Sequence, residues 1–327
     1  MRIRLLSESD TRRLISPLQA ITSCKLAYMR LAQGKVEQPQ VITIQVKEHR
    51  GDVHAKGGYI HGDPRYSIKV ATGFYNNPQL GLPVTSGAVW VFSARTGLLE
   101  LMIMDNGYLT ELRTGASGAI AAELLARPVV HTVGMIGAGG QARYQLEALL
   151  QVRSPERILV VSRNMPRAAD YAAEMTARTG RPVEVAESTE ALVRASDLIV
   201  TTTTAERPLV RSEWVQPGTH ITAIGADMPH KQELDAALLG RSKVVVDLVA
   251  QCVTQGELHH AVDAGCMTTD DVYAEIGEIA AGWKPGRTSE VEITVADLTG
   301  VGVLDAAVAN IVADAAERTD AGQWIEM

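Results

Sequence analysis

One short stretch limits the fold of this chain more than any other: Gly137-Ala138-Gly139-Gly140-Gln141-Ala142. It follows the apolar run 132–136 and opens a stretch of helical composition, 141–150. A G-x-G-x-x-A turn between a buried strand and a helix is the phosphate cradle of a dinucleotide-binding (Rossmann) domain. Gly137 allows the tight turn, Gly139 lets the backbone approach a pyrophosphate, and Ala142 lets the helix pack closely on the strand. The helix start adds free N–H groups and the positive end of a dipole.

The surrounding pattern agrees. Short apolar runs at 132–136, 157–161, 183–185, 197–201, 221–224 and 243–247 alternate with helical segments, as in a doubly wound parallel sheet. The chain ahead of the cradle reads differently. Strands are expected at 41–46, 66–70 and 87–92, with turns at 76–78 and 95–97. A helix near 10–16 has cap candidates in Ser7 to Asp10, and a second, rich in Ala, Leu and Glu, covers 110–125. A small-residue helix at 303–316 can pack back on this first region. The expectation is an α/β chain: a β-rich domain, 1–118 with 303–327, and a Rossmann doubly wound domain, 119–302. The 327 residues suit two domains of roughly 100–200 residues each.

Composition removes several functions. The net charge of -7 repels nucleic acid and anionic membranes, so neither is expected as a partner. No apolar run approaches the ~18 residues of a membrane span, and 1–14 has no leader-like apolar stretch. Cys24, Cys252 and Cys266 lie far apart without CxxC spacing and read as reduced thiols of a cytoplasmic protein. His259 and His260 are adjacent, so on a helix they diverge by about 100° and do not chelate together; no metal is expected.

The end of the second Rossmann strand usually selects the cofactor. Here it reads Val161-Ser162-Arg163-Asn164. It lacks the acid that binds the NAD ribose, and Arg163 tolerates NADP without excluding NAD. Arg163 can equally stack on the adenine or face solvent. The hydroxyls of Thr201 to Thr204 suit a surface close to a cofactor, as they suit any β-strand.

The chain also resembles the ornithine cyclodeaminase / mu-crystallin family over nearly its whole length. The resemblance is carried by Ile68-Lys69-Val70, Asn77-Pro78 with Gly81-Leu82-Pro83, and Ser93-Ala94-Arg95-Thr96-Gly97. It continues through Leu112-Arg113-Thr114-Gly115-Ala116, the cradle, Ile224-Gly225-Ala226-Asp227, and the stretch from Ile293 to Gly300. It implies chemistry through a 2-imino acid and a nicotinamide hydride. It implies Lys69 and Arg113 at the substrate α-carboxylate, with Lys69 also able to shuttle a proton, and Asp227 as an acid/base carboxylate. Around the cofactor it implies Thr85, Arg113, Gly137, Gly139, Gly140, Gln141, Ser162, Arg163, Thr203, Ala223, Ile224, Gly225, Ala226 and Lys231, with Leu298 and Gly300 near the nicotinamide. It implies that the β-rich domain is the substrate-binding and dimerisation domain, completed by the C-terminal helix, and so a homodimer.

One departure bears on the substrate. Where ornithine-type members carry an acid thirteen residues before the active-site lysine, this chain has Lys56. That lysine would repel a distal ammonium and attract a distal carboxylate. The family's early arginine is displaced: Thr43 stands near its place, while His49, Arg50 and His54 supply cationic options. With Glu48-His49-Arg50-Gly51 and Gly256-Glu257-Leu258-His259-His260, the pattern is similar to the ectoine-utilisation and iminosuccinate-reductase branch. The expected activity is reduction of a small 2-imino acid, foremost iminosuccinate to L-aspartate, with NAD and NADP both possible. An ornithine cyclodeaminase-type lyase and a non-catalytic, crystallin-like NAD(P)H-binding protein are the alternatives.

Overall fold

The computed structural model describes residues 2–326. They divide into two compact units, 1–113 with 301–327 and 114–300. The division falls ahead of the expected 118/119. The cause is local: a Cβ on Gly115 would lie 2.7 Å from the Tyr144 carbonyl oxygen, so this turn of helix Tyr108–Leu125 packs on the second unit's own backbone.

The described residues of the first unit form an eight-stranded sheet. Its strands are β1 (Arg2–Ser7), β2 (Val36–Glu37), β3 (Ile42–Val46), β4 (Gly51–Ile60), β5 (Arg65–Phe74), β6 (Thr85–Ser93), β7 (Leu99–Met104) and a C-terminal strand, Gln323–Glu326. The order is C-terminal strand, β1, β7, β6, β5, β4, and long β4 pairs with both β2 and β3. Only β1 and β7 run parallel. Helix Gly302–Thr319 packs on β4, β5 and helix Pro17–Ala32. Its buried face is nearly all Ala and Val, which lets the backbones approach.

Several elements of this unit depart from the expectations. The first helix lies two residues earlier, Glu8–Leu14, because Ser7 and Asp10 close a capping box. A second helix, Pro17–Ala32, begins at once behind its own capping box of Ser16 and Gln19 with Pro17 in the first turn. Strands β1, β2, β4, β7 and the C-terminal strand were not anticipated.

The second unit holds a parallel sheet built from β8 (Thr132–Ile136), β9 (Arg157–Val161), β10 (Val183–Val185), β11 (Leu198–Thr201), β13 (His220–Ala223), β15 (Lys243–Val246), β16 (Ala274–Glu275) and β17 (Thr294–Asp297). The short β12 (Glu206–Val210) and β14 (Gln232–Leu234) pair separately. The order β10-β9-β8-β11-β13-β17-β15-β16 reverses direction at β8/β11, the switch point where such sheets bind ligands. Burial on both faces explains the continuous apolar strands; Ile136, Leu159, Ile199, Ile221, Val244 and Val295 belong to one core cluster. No helix among the described residues is long and apolar enough to cross a membrane.

Candidate active site

Chemistry-bearing residues gather in two places, one in each unit. In the first unit, Lys69 sits mid-strand on β5, between Lys56 on β4 and Val89 on β6 in the sheet register. The C-terminal helix lies over these strands, and Lys69 is only 2% exposed. Asp305, in the helix's first turn, meets it with Oδ1 3.4 Å from Nζ. Arg113 donates from Nε to the same oxygen at 3.0 Å. Two glycine contacts set this approach. A Cβ on Gly58 would lie 2.9 Å from Val303 Cα, and one on Gly302 would lie 2.4 Å from the Gly57 carbonyl oxygen. Asp105 accepts N–H bonds from Gly107 (3.0 Å) and Leu109 (2.7 Å), pinning the start of the helix that carries Arg113.

The electrostatics follow from burial and charge count. Burial brings Lys69 down to about 7, helped by Arg113 and Lys56 and opposed by Asp305. Burial works against ionisation of Asp305, but Arg113, Lys69 and Lys56 outweigh it and hold the carboxyl below its ordinary value. For Arg113, burial is outweighed by Asp305 and the guanidinium stays charged. This cluster has three cationic side chains around one carboxylate. It can hold an anionic group, and Lys69 can give or take a proton near neutrality.

Nearby expected residues are less engaged. Lys56 is half-buried. Thr43 is exposed and faces His54 across β3–β4, while His54 Nε2 lies 3.5 Å from Asp52. His49 is exposed, and Arg50 takes a left-handed turn conformation. Thr85 opens β6, exposed, opposite Gly73.

The second unit carries the cradle at the C-terminal edge of its sheet. Gly137 has φ +115°, and a Cβ there would lie 2.6 Å from Thr202 Oγ1, so only glycine fits. Gly139 caps helix Gly140–Leu149. A Cβ on Gly139 would meet nothing closer than 3.9 Å, and one on Gly140 nothing within 4 Å. These backbones border open space at a helix N-terminus, which fits a bound pyrophosphate. Gln141 accepts from Gln145 (3.0 Å), and buried Ala142 accepts the Tyr171 hydroxyl (3.0 Å). Ser162 is half-buried, Arg163 is exposed, and Asn164 caps the next helix.

Loops beside the cradle are tied by a residue the sequence reading missed. Buried Glu233 accepts from Thr201 Oγ1 (2.6 Å), the Thr203 N–H (2.6 Å) and the Gly225 N–H (2.8 Å). Burial raises its carboxyl above the ordinary value against these bonds. It joins the end of β11 to the loop after β13, where Ile224, Gly225 and Ala226 follow Ala223, the last residue of the strand. The Thr201 hydroxyl is therefore turned inward, not toward a cofactor surface. Asp227 Oδ1 lies 2.7 Å from Lys231 Nζ, and the Lys231 carbonyl accepts from His260 Nε2 (2.8 Å). The Leu298 N–H donates to Ala223 O (3.1 Å) and the Gly300 N–H to Asp247 (2.5 Å). Asp305 was also missed; its signal in sequence is an acid in the first turn of a helix whose buried face is mostly Ala and Val. Glu233 left no such signal.

The chain matches the Ornithine cyclodeaminase/mu-crystallin family over residues 2–320, and it belongs to that family. Three solved structures are similar over their full length. A Delta(1)-pyrroline-2-carboxylate reductase of Thermococcus litoralis, in complex with NADH and L-proline, is 32% identical, with a TM-score of 0.94, covering 98% of this chain and 99% of that one. An archaeal alanine dehydrogenase dimer with bound NAD is 35% identical, with a TM-score of 0.93, covering 100% of each. The iminosuccinate reductase of Paracoccus denitrificans, in complex with NAD+, is 32% identical, with a TM-score of 0.91, covering 100% of each.

Proposed function

We propose that this chain is a nicotinamide-dependent reductase of a small 2-imino acid, with iminosuccinate, reduced to L-aspartate, as the substrate. Reductases and dehydrogenases of imino and amino acids among its relatives support the reaction class. The observation that carries the substrate is Lys56, opposite Lys69 in the β4–β5 register. It adds a cation beside the Lys69–Arg113 pair, where a second carboxylate would gain and a distal ammonium would lose.

In this reading Lys69 and Arg113 hold the α-carboxylate, and Lys56 holds the distal one. A bound nicotinamide would supply the hydride, and the residues that would hold it are the cradle from Gly137 to Gln141, Thr203, residues 223–226, Lys231 and the 298–300 segment. As the imine carbon gains the hydride, the C=N electron pair moves to nitrogen. Lys69 or Asp227 then gives nitrogen a proton. Relatives with NAD or NADH bound support NAD as the cofactor; exposed Arg163 leaves NADP as the competitor. The alanine dehydrogenase dimer supports a homodimer, and a cytoplasmic setting goes with this chemistry.

Oxaloacetate, pyruvate and glyoxylate, each with ammonia, should be compared using NADH and NADPH. The reading expects the highest kcat/KM for oxaloacetate with NADH. A preference for pyruvate would move the assignment to an alanine dehydrogenase, and ammonia release from ornithine without net NADH change would make the chain a cyclodeaminase.

A further inference from the structure

We infer that Asp305, on the C-terminal helix, is the positioning residue of the site: one internal carboxylate oxygen holds Lys69 and Arg113 together and keeps Lys69 able to act as an acid. The inference rests on the reading above in giving Lys69 a proton to deliver.

The geometry is asymmetric in a telling way. Oδ1 takes both cations, at 3.4 and 3.0 Å. Oδ2 is buried without a hydrogen-bond partner. All three side chains are at most 6% exposed. A fold seeking only stability gains more from apolar side chains of similar volume than from a buried ion cluster with an orphaned oxygen. The arrangement also depends on backbone contacts that only glycine allows, at Gly58 against Val303 and at Gly302 against the Gly57 carbonyl. The helix start is thereby pressed onto β4, and its first-turn acid is set above β5. The helix dipole favours that acid's negative form.

The charges facing Lys69 and Asp305 come from every element packed around them. Lys56 comes from β4, Arg113 from helix Tyr108–Leu125, and Asp105 from the turn before that helix. Cys24 and Tyr28 come from helix Pro17–Ala32, and burial pushes the Cys24 thiol up to about 12, so it stays neutral. Among these, Asp305 is the group that favours the charged lysine, while burial, Arg113 and Lys56 oppose it. Without Asp305 the balance at Lys69 tips further toward the neutral amine, so less of it carries a proton for an imine nitrogen near neutrality.

The test is Asp305→Asn, read by NMR titration of 13Cε-lysine-labelled protein, with the Lys69 signal assigned by Lys69→Arg. The Lys69 midpoint should move down by about one unit or more, and the alkaline limb of kcat/KM should move with it. Asp305→Glu should restore most of the midpoint. A folded Asn variant whose midpoint stays put would overturn the inference, even if its activity falls. Should Asp305→Asn not fold, the triple variant Lys69→Met/Arg113→Met/Asp305→Asn decides, because it removes both buried cations together with their shared counter-ion. Recovered folding supports the counter-ion role, and no recovery refutes it. The titration needs no substrate. A shifted midpoint in a protein that reduces no imine would sink the proposed function alone, whereas imine reduction with an unmoved midpoint would sink this inference alone.

Discussion

Removing the charge of Lys56 should alter which imine is reduced more than how fast imines are reduced. Lys56 and Lys69 are directly paired across β4 and β5, and side chains so placed start about 5 Å apart at Cβ. If Lys69 and Arg113 hold one carboxylate, a four-carbon diacid can bring its second to about 6 Å from the Lys56 ammonium. At that distance and an effective dielectric near 20 the attraction is about 2.8 kcal/mol. Lys56 is half-buried, and screening reduces this to roughly 1.5–2.5 kcal/mol. Lys56→Gln should then lower kcat/KM for oxaloacetate with ammonia about 10- to 70-fold relative to pyruvate with ammonia. Lys56→Glu should cost several times more. Lys56 also helps to hold Lys69 down near about 7, so its loss raises the lysine for both substrates alike. The ratio between substrates, measured at several pH values with NADH, isolates the specificity effect. Equal losses on both imines would refute the assignment.

Two further outcomes can be checked. Gly137→Ala places a Cβ 2.6 Å from Thr202 Oγ1 at φ +115°, a strain of about 1–3 kcal/mol; NADH affinity should fall about 10-fold or more by fluorescence titration, with the melting temperature changed only modestly. Asp297 is buried in the second unit, and burial lifts its carboxyl from 3.8 to about 7. Between those values the folded chain keeps a proton that the unfolded chain releases, so this group's contribution to stability is present at low pH and lost as pH rises toward 7. Asp297→Asn, which keeps an acceptor for the Leu258 N–H, should flatten the dependence of melting temperature on pH from 5 to 8, and an unchanged slope would count against the assignment.

The sequence alone determined six of the Rossmann strands to within a residue at each end, while β12, β14, β16 and β17 were not anticipated. Strands at 132–136 and 157–161 are found where the apolar runs lie, because a parallel strand buried on both faces has few polar positions to blur it; the edge strand 183–185 is found as well, with Glu184 exposed at its centre. The cradle was legible for the same local reason: its glycines answer to the turn they make. The β-rich half was legible only in part. Strand β4, Gly51–Ile60, carries Asp, His, Lys and three glycines, a composition that reads as a loop until the helix lying on Gly57 and Gly58 is seen. Tertiary structure alone decided the partners of the charges. Asp305 is 192 residues from Arg113 along the chain, and Glu233 reaches loops that no local pattern links to it. A buried charge is set by what surrounds it in space, and spacing along a chain carries no record of that.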